Sequence, residues 1–236
     1  MIKKYGKSTL DHVLRYLPVI EYLKNHKKET DKILEVGANI LGITQFYPFE
    51  ITALDVDLYP DNQPHIKRVT CDAAKMPFND NSYEYVISLD MLEHIEASAR
   101  EAVITELLRT AGRAVILGVP CGHSARNHEQ KYNNRYKKVF GKDNPFLQEH
   151  MKYAFPQVEE ISAAVKNASE KLKKSISIKV KNNVNVYLWY YSRISNLPGN
   201  YLLLPLRGRF GLLLLFLWKH FNFGSCYRKI FTIEII

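Results

Sequence analysis

Apolar and polar positions alternate along the first half of the chain in two kinds of pattern. Apolar residues with helical spacing between Leu10 and Leu17 predict an amphipathic helix over residues 8–25. A second helix is predicted to begin with a capping box at Ser98 and to end at Gly112. Short apolar runs that end in turn residues predict five buried strands, at residues 32–37, 51–57, 66–72, 85–89 and 114–120. Strands that are apolar on both faces and alternate with helices are typical of a parallel sheet covered on both sides.

The second half of the chain predicts a different arrangement. Residues 121–174 are polar and largely helical in pattern, and alternation at residues 175–181 and 227–235 predicts the last two strands. The apolar segment 184–226 between these strands is far too long for a hairpin loop. We therefore predict an α/β fold with a doubly wound, seven-stranded, mostly parallel sheet and an apolar helical insertion between the last two strands.

Composition and cysteine content narrow the class of protein. Hydrophobic residues at 46% and charged residues at 24% are average for a globular chain. Cys71, Cys121 and Cys226 are scattered without metal-ligand spacing, which argues against a disulfide scaffold or a zinc module and favours a reducing compartment. The basic start leads into charged sequence, and the uncharged run 210–218 is about half a membrane span. These features predict a cytoplasmic protein without a secretory signal or a transmembrane helix.

The formal net charge of +9 lies entirely in the C-terminal part of the chain. Residues 1–150 carry 20 Lys+Arg and 20 Asp+Glu, whereas residues 151–236 carry 13 Lys+Arg and 4 Asp+Glu. A basic, leucine-rich tail on a neutral body favours an anionic membrane, a nucleic acid or an acidic substrate as partner. The alternative is that the lysines lie on solvated helix faces.

The first predicted strand ends in a turn suited to a nucleotide cofactor. The run from Glu35 to Gly42 contains the spacing Gly-x-Asn-x-x-Gly, a nucleotide-binding fingerprint in which Asn39 replaces the middle glycine. A side chain at that position blocks a pyrophosphate, which argues against NAD or FAD, while asparagine still tolerates a left-handed turn. Asp55 follows Glu35 by 20 residues, at the end of the second strand, where a carboxylate can accept both ribose hydroxyls. A cofactor with a nucleoside and no pyrophosphate, such as S-adenosylmethionine, fits this pattern.

Further motifs follow the later strands in order. Asp72 ends the third strand, Leu-Glu-His at residues 92–94 follows the fourth, and Val-Pro at residues 119–120 ends the fifth. With these motifs, residues 30–120 resemble the class I (Rossmann-like) S-adenosylmethionine-dependent methyltransferases, and most closely the small-molecule, type 11-like branch. The resemblance implies a methyltransferase that uses S-adenosyl-L-methionine. We therefore expect a single domain over residues 1–236. Its parts would be an N-terminal helix (1–27), a cofactor-binding core (28–120), a substrate-side helical region (121–174) and the apolar insertion (184–226).

The resemblance also implies which residues hold the cofactor, at the carboxyl ends of the first four strands. The methionine half would lie against the first turn, at Glu35, Gly37, Ala38 and Asn39. The residues that bind the nucleoside and cover the cofactor would lie at the ends of the next three strands, at Asp55, Val56, Asp72, Ala73 and Leu89. Asp55 would bind the ribose, with Val56 against the adenine, and Asp72 would accept from the adenine amino group. Pro48 departs from the family pattern by shortening the helix that follows the turn.

Methyl transfer from a sulfonium needs mainly alignment, together with a base if the acceptor carries a proton. The base stays open among polar residues after the fourth and fifth strands, namely Asp90, Glu93, His94, His123 and His128. We expect a small or lipid-linked acceptor, with an RNA methyltransferase or a non-catalytic binding protein as alternatives. The segment 202–218 carries twelve large apolar side chains. It is expected to form a lid, a homodimer contact or a peripheral site for an anionic membrane. In the membrane case the nearby Lys219, Arg228 and Lys229 are expected to face the anionic headgroups.

Overall fold

A seven-stranded sheet forms the centre of the molecule in the computed structural model, which describes residues 9–38, 42–57 and 65–236. The strands are β1 (Ile33–Val36), β2 (Ile51–Asp55), β3 (Ile66–Thr70), β4 (Tyr83–Leu89), β5 (Ala111–Pro120), β6 (Ile176–Asn185) and β7 (Cys226–Ile235). Their order is β3-β2-β1-β4-β5-β7-β6, and β7 runs antiparallel to both of its neighbours while the other pairs are parallel. The predicted fold class is therefore confirmed.

Helices cover both faces of the sheet. They are α1 (Leu10–His26), α2 (Ala97–Thr110), α3 (Gly122–Phe140), α4 (Pro145–His150), α5 (Val158–Leu172), α6 (Val186–Ser195), α7 (Gly208–Leu213) and α8 (Leu215–Trp218). Successive strand residues alternate between the faces, so that Ile87 packs under α1 and α6 while Val86 packs under α2 and α5. This two-sided burial explains why the inner parallel strands β1, β2, β4 and β5 are mostly apolar, whereas the edge strand β3 carries Lys67 and Arg68 and is partly exposed.

Several predicted boundaries differ from the structure. The capping box predicted at Ser98 is wrong, because α2 begins at Ala97 after Glu96 and no side chain caps it. Gly112 does not end that helix, since β5 already begins at Ala111, where it pairs with Tyr83 of β4. The connection between β1 and β2 agrees with the effect expected of Pro48, because its described part contains only a short 3-10 helix, Gly42–Gln45.

The apolar insertion folds into three short helices and a 3-10 segment, Tyr201–Leu206. Leu212 and Leu215 join the core, but Leu202 is 97% exposed and Phe216 is 62% exposed. No helix in the described ranges is both long enough and apolar enough to cross a membrane. The insertion thus buries a minority of its large apolar side chains within the chain itself.

Candidate active site

The turn after β1 is shaped by its glycines. Gly37 has a φ of +77°, and a Cβ placed there would lie 2.8 Å from Cγ of Met91. Gly42 also has a positive φ, and a Cβ at that position would collide with the Glu35 carboxylate. Both positions therefore require glycine. Asn39 lies outside the described residues, so its predicted left-handed conformation and cofactor contact stay predictions.

Glu35 supports this turn from behind. Its side chain is 1% exposed; Oε1 accepts a hydrogen bond from the Tyr16 hydroxyl at 2.8 Å, and Oε2 accepts one from the Ile43 N–H at 2.8 Å. Burial raises the pKa of Glu35 from 4.5 to about 7, although Ile43, Tyr16 and Arg15 all act to lower it. The structure places this carboxylate between α1 and the turn rather than in the cavity wall described below.

The predicted nucleoside residues lie side by side at the carboxyl ends of β2 and β3. Asp55 is half-buried and its Oδ1 accepts the Val56 N–H at 2.8 Å, while the Val56 side chain is 63% exposed. Asp72 is exposed and caps the following turn by accepting the Ala74 N–H at 2.8 Å. A carboxylate suited to a ribose diol, Asp55, thus stands beside the exposed apolar side chain of Val56, and a second carboxylate, Asp72, lies at the end of the neighbouring strand. These residues fit a nucleoside, and their contact with one stays a prediction.

A cavity of about 580 Å³ opens against the same edge of the sheet. The predicted cofactor residues Gly37, Ala38 and Leu89 line one side of it. The other walls come from α1, the segment after β4, α4, α6 and β7, and include His12, Arg15, Asp90, Glu93, His94, His150, Trp189, Arg193 and Tyr227. Its size suits the reactive end of a cofactor together with a small acceptor.

A buried ion pair lies behind the cavity wall, where Asp90 lines the cavity. Arg228 of β7 is 0% exposed and donates to both Asp90 oxygens, at 2.5 and 2.6 Å, and to Asn183 Oδ1 at 2.9 Å. Arg15 lies 3.0 Å from the same carboxylate. Burial alone would raise the pKa of Asp90, but the two arginines outweigh it and lower that pKa from 3.8 to about 2. Asp90 is therefore an ionised structural group and a weak base.

Three of the five candidate bases meet at the cavity. Asp90, Glu93 and His94 line it, whereas His123 is exposed at the start of α3. His128 donates its Nδ1–H to the Ser124 carbonyl at 2.8 Å and packs against the Tyr187 ring. Burial, and then the negative charge of Asp90, raise the pKa of Glu93 well above its usual range.

Other side chains that line the cavity could not be predicted from any sequence motif. Arg15, His150, Trp189 and Tyr227 come from elements far apart in the chain and meet only because of the sheet order. Arg228 had no distinguishing signal either, because Lys229 follows it directly on β7 and the sequence does not show which of the two basic residues is buried. Burial, followed by the charge of Arg15, lowers the pKa of His12 in the same wall to about 4.

Comparisons with known proteins agree with this geometry. Residues 30–116 match the family described as "Methyltransferase domain". No curated protein matches the chain in sequence. Among solved structures, the magnesium protoporphyrin IX methyltransferase of Synechocystis PCC 6803, with bound S-adenosylhomocysteine, is 14% identical with a TM-score of 0.55, over 98% of this chain and 91% of that one.

Two further structures show the same fold. Phosphoethanolamine N-methyltransferase 2 of Haemonchus contortus, in complex with S-adenosyl-L-methionine, is 16% identical with a TM-score of 0.55, over 99% of this chain and 56% of that one. A Haloferax volcanii putative methyltransferase, in complex with the Trm112 methyltransferase activator, is 10% identical with a TM-score of 0.52, over 94% of this chain and 89% of that one. The whole chain therefore has the fold of these methyltransferases, and its match to the methyltransferase family covers residues 30–116. The predictions of this enzyme class, its fold and its S-adenosylmethionine cofactor are confirmed.

Proposed function

We propose that the protein transfers the methyl group of S-adenosylmethionine to a small or lipid-linked acceptor by in-line displacement. The observation that carries the proposal is the cavity of about 580 Å³, which joins the cofactor turn at Gly37 and Ala38 to an aromatic and charged wall. An acceptor in that space would lie directly against the predicted methionine half of the cofactor. A space of this size supports a small reacting group rather than a folded macromolecule.

The chain's own residues would act mainly by position. When bound, S-adenosylmethionine supplies an activated methyl group and a neutral leaving group. Trp189 stacks on Tyr227 with ring centroids 4.1 Å apart, which gives the acceptor side a fixed flat wall. Arg228 and Arg15 hold Asp90 at the end of β4, next to Leu89, and so fix the backbone that borders both ligands. Such alignment is the largest contribution that this reaction requires.

We expect Asp55→Ala to weaken binding of S-adenosylhomocysteine by about ten- to a hundredfold without unfolding the protein. The loss corresponds to about 1.5–3 kcal/mol for charge-assisted hydrogen bonds to the ribose. Asp57→Ala is the matched control, because Asp57 is an exposed carboxylate two residues further on. Isothermal titration of both variants measures the effect. Equal affinities for the two variants would show that the ribose lies elsewhere.

The lipid-linked form of the acceptor is supported by an exposed apolar surface on the insertion. This insertion surface consists of side chains that are 39–97% exposed: Tyr187, Tyr191, Leu202, Phe210, Leu213, Phe216, Leu217, Phe221 and Phe223. An apolar groove of about 500 Å³ runs within it, between α6 and the 3-10 segment. The helix α6 contributes Trp189 to the active-site cavity and Tyr187 to the groove, so one helix separates the two spaces. A lipid chain in the groove would therefore bring its polar end near the cavity.

One part of the membrane expectation is wrong. Arg228 was expected to contact anionic headgroups, but it is fully buried against Asp90. Lys229 is half-buried, and its ammonium donates to Asn182. Exposed Lys219 and half-buried Arg207 remain beside the insertion surface. Peripheral association would thus depend more on apolar contact than on charge.

We expect the protein to float with anionic liposomes and Leu213→Glu to abolish flotation. Leu213 is 52% exposed, so a charge there opposes insertion into lipid without disturbing the core. Val139→Glu is the matched control, since Val139 is also exposed but belongs to α3 and is not part of the insertion surface. Flotation is measured with anionic and neutral vesicles at low and high salt. A soluble dimer that floats with neither would mean that the insertion surface is a contact between copies.

A further inference from the structure

A cluster of three ligand-type side chains lies in the wall of the active-site cavity, and methyl transfer as described gives it no role. Glu93 and His94 belong to the short 3-10 helix after β4, and His150 is the last residue of α4. One donor atom from each side chain lies within 4.8 Å of the others. Because His150 follows His94 by 56 residues, the sequence showed no metal-ligand spacing here. The fold alone assembles the cluster.

The atoms of this cluster are arranged as they would be around a common cation. Nε2 of His94 lies 3.1 Å from Nε2 of His150, a separation that suits two nitrogens each about 2.1 Å from one ion. Glu93 Oε1 lies 4.0 Å from the same His150 nitrogen. Glu93 is 0% exposed, and neither of its oxygens has a hydrogen-bond partner among the described residues. A buried carboxylate without such partners is costly unless a cation compensates it.

A second layer of side chains orients His150. Its Nδ1 lies 2.8 Å from Glu129 Oε1, and the same oxygen accepts a hydrogen bond from the Tyr227 hydroxyl at 2.5 Å. Both Glu129 and Tyr227 are buried. A carboxylate behind one imidazole nitrogen makes that nitrogen the donor and leaves the lone pair of the other directed at the cluster. This carboxylate–histidine arrangement is typical of metal sites.

We propose that Glu93, His94 and His150 bind a divalent transition-metal ion, Zn²⁺ above all, with open coordination positions that take an oxygen atom of the methyl acceptor. Two imidazoles and one carboxylate favour transition metals over Mg²⁺ or Ca²⁺, which prefer oxygen ligands. Three protein ligands leave at least one position open, and all three residues line the cavity. Asp90 is not a ligand, because Arg15 and Arg228 hold its carboxylate. The role of the acceptor oxygen rests on the proposed methyl transfer; binding of the ion does not.

Zn²⁺ and Co²⁺ titrations of the chelator-treated full chain test the site, by calorimetry and by Co²⁺ absorption. We expect wild type to bind one ion, and His150→Ala and Glu93→Gln to lose more than about 100-fold in affinity. Loss of an outer carboxylate typically costs about 10–100-fold, which is the expected effect of Glu129→Gln. His123→Ala is the matched control, because His123 is exposed and outside the cavity. Circular dichroism identifies any variant that fails to fold. The affinities of wild type and of the folded variants then decide whether the site binds the ion.

Each outcome bears on one claim. Absence of Zn²⁺ and Co²⁺ binding in wild type, or equal Zn²⁺ affinity in His150→Ala and His123→Ala, overturns the metal site. Acetohydroxamate, a bidentate oxygen ligand, should change the Co²⁺ spectrum of the loaded protein, and an unchanged spectrum overturns the role of an acceptor oxygen. A parallel titration with S-adenosylhomocysteine separates this proposal from the proposed function. Cofactor binding without metal binding leaves methyl transfer standing and rejects only the metal.

Discussion

Arg228→Met is expected to lower the free energy of unfolding by about 3–5 kcal/mol, because it removes one partner of a buried ion pair. Arg228 is 0% exposed and donates twice to Asp90, whose buried carboxylate would then keep Arg15 as its salt-bridge partner among the described residues. A methionine fills much of the same volume, so the loss reports charge rather than a cavity. Denaturant unfolding followed by circular dichroism measures it.

Two further variants identify the cause of that loss. Lys229→Met is the matched control, since Lys229 is the next residue on β7 and its ammonium donates to the exposed Asn182 side chain. We expect it to change stability by less than about 0.5 kcal/mol. Asp90→Asn in the Arg228→Met background should recover part of the loss, because it removes one of the two buried carboxylates that lose Arg228, the other being Asp11. Asparagine also tolerates the φ of +51° at this position. A double variant no more stable than Arg228→Met would contradict the ion-pair explanation.

Glu35 should make the protein less stable as the pH rises from about 4.5 to about 7. Burial raises the pKa of Glu35 from 4.5 to about 7 in the folded state. The folded protein therefore binds a proton more tightly than the unfolded chain, and this stabilisation is complete below pH 4.5 and is lost as pH rises through 7. A shift of this size corresponds to about 3 kcal/mol.

Comparison with Glu35→Gln isolates this contribution, because glutamine resembles the protonated form and does not titrate. Unfolding free energies of both proteins at pH 5 and pH 8 are subtracted, so that groups common to both cancel. Between pH 5 and pH 8 the unfolding free energy of wild type should fall by about 3 kcal/mol more than that of the variant. A difference that does not change with pH would mean that Glu35 is ionised throughout and that its hydrogen bonds from Tyr16 and Ile43 outweigh burial.

The fold could be predicted well because its signals are local. The inner parallel strands are short, mostly apolar runs with both faces buried, so the apolar pattern and its length were sufficient for Ile33–Val36 and for Tyr83–Leu89. Helix ends were predicted less well. Gly112 resembles a helix stop, but pairing of β5 with β4 draws this glycine into the sheet. Tertiary pairing overrode local preference there.

The site was only partly predictable, because half of it is assembled by the order of the strands. Gly37 and Ala38 follow the end of β1 and Leu89 is the last residue of β4, positions that sequence motifs identify, and all three line the cavity. Arg228 reaches Asp90 because β7 inserts between β5 and β6, a topology that no spacing encodes. Glu35 belongs to the family motif, but its carboxylate lies behind the turn. The Tyr16 hydroxyl of α1 donates to one of its oxygens and the Ile43 N–H donates to the other.

Isothermal titration of the purified chain with S-adenosylhomocysteine tests most directly whether this domain works as a methyltransferase. The turn at Gly37, the paired strand-end carboxylates Asp55 and Asp72 and the adjoining cavity predict a one-to-one complex. They also predict competition by S-adenosylmethionine and no competition by NAD, whose pyrophosphate the side chain of Asn39 would obstruct. Absence of heat from either sulfur compound, in a protein shown to be folded, would contradict the enzyme assignment and favour a non-catalytic binding protein.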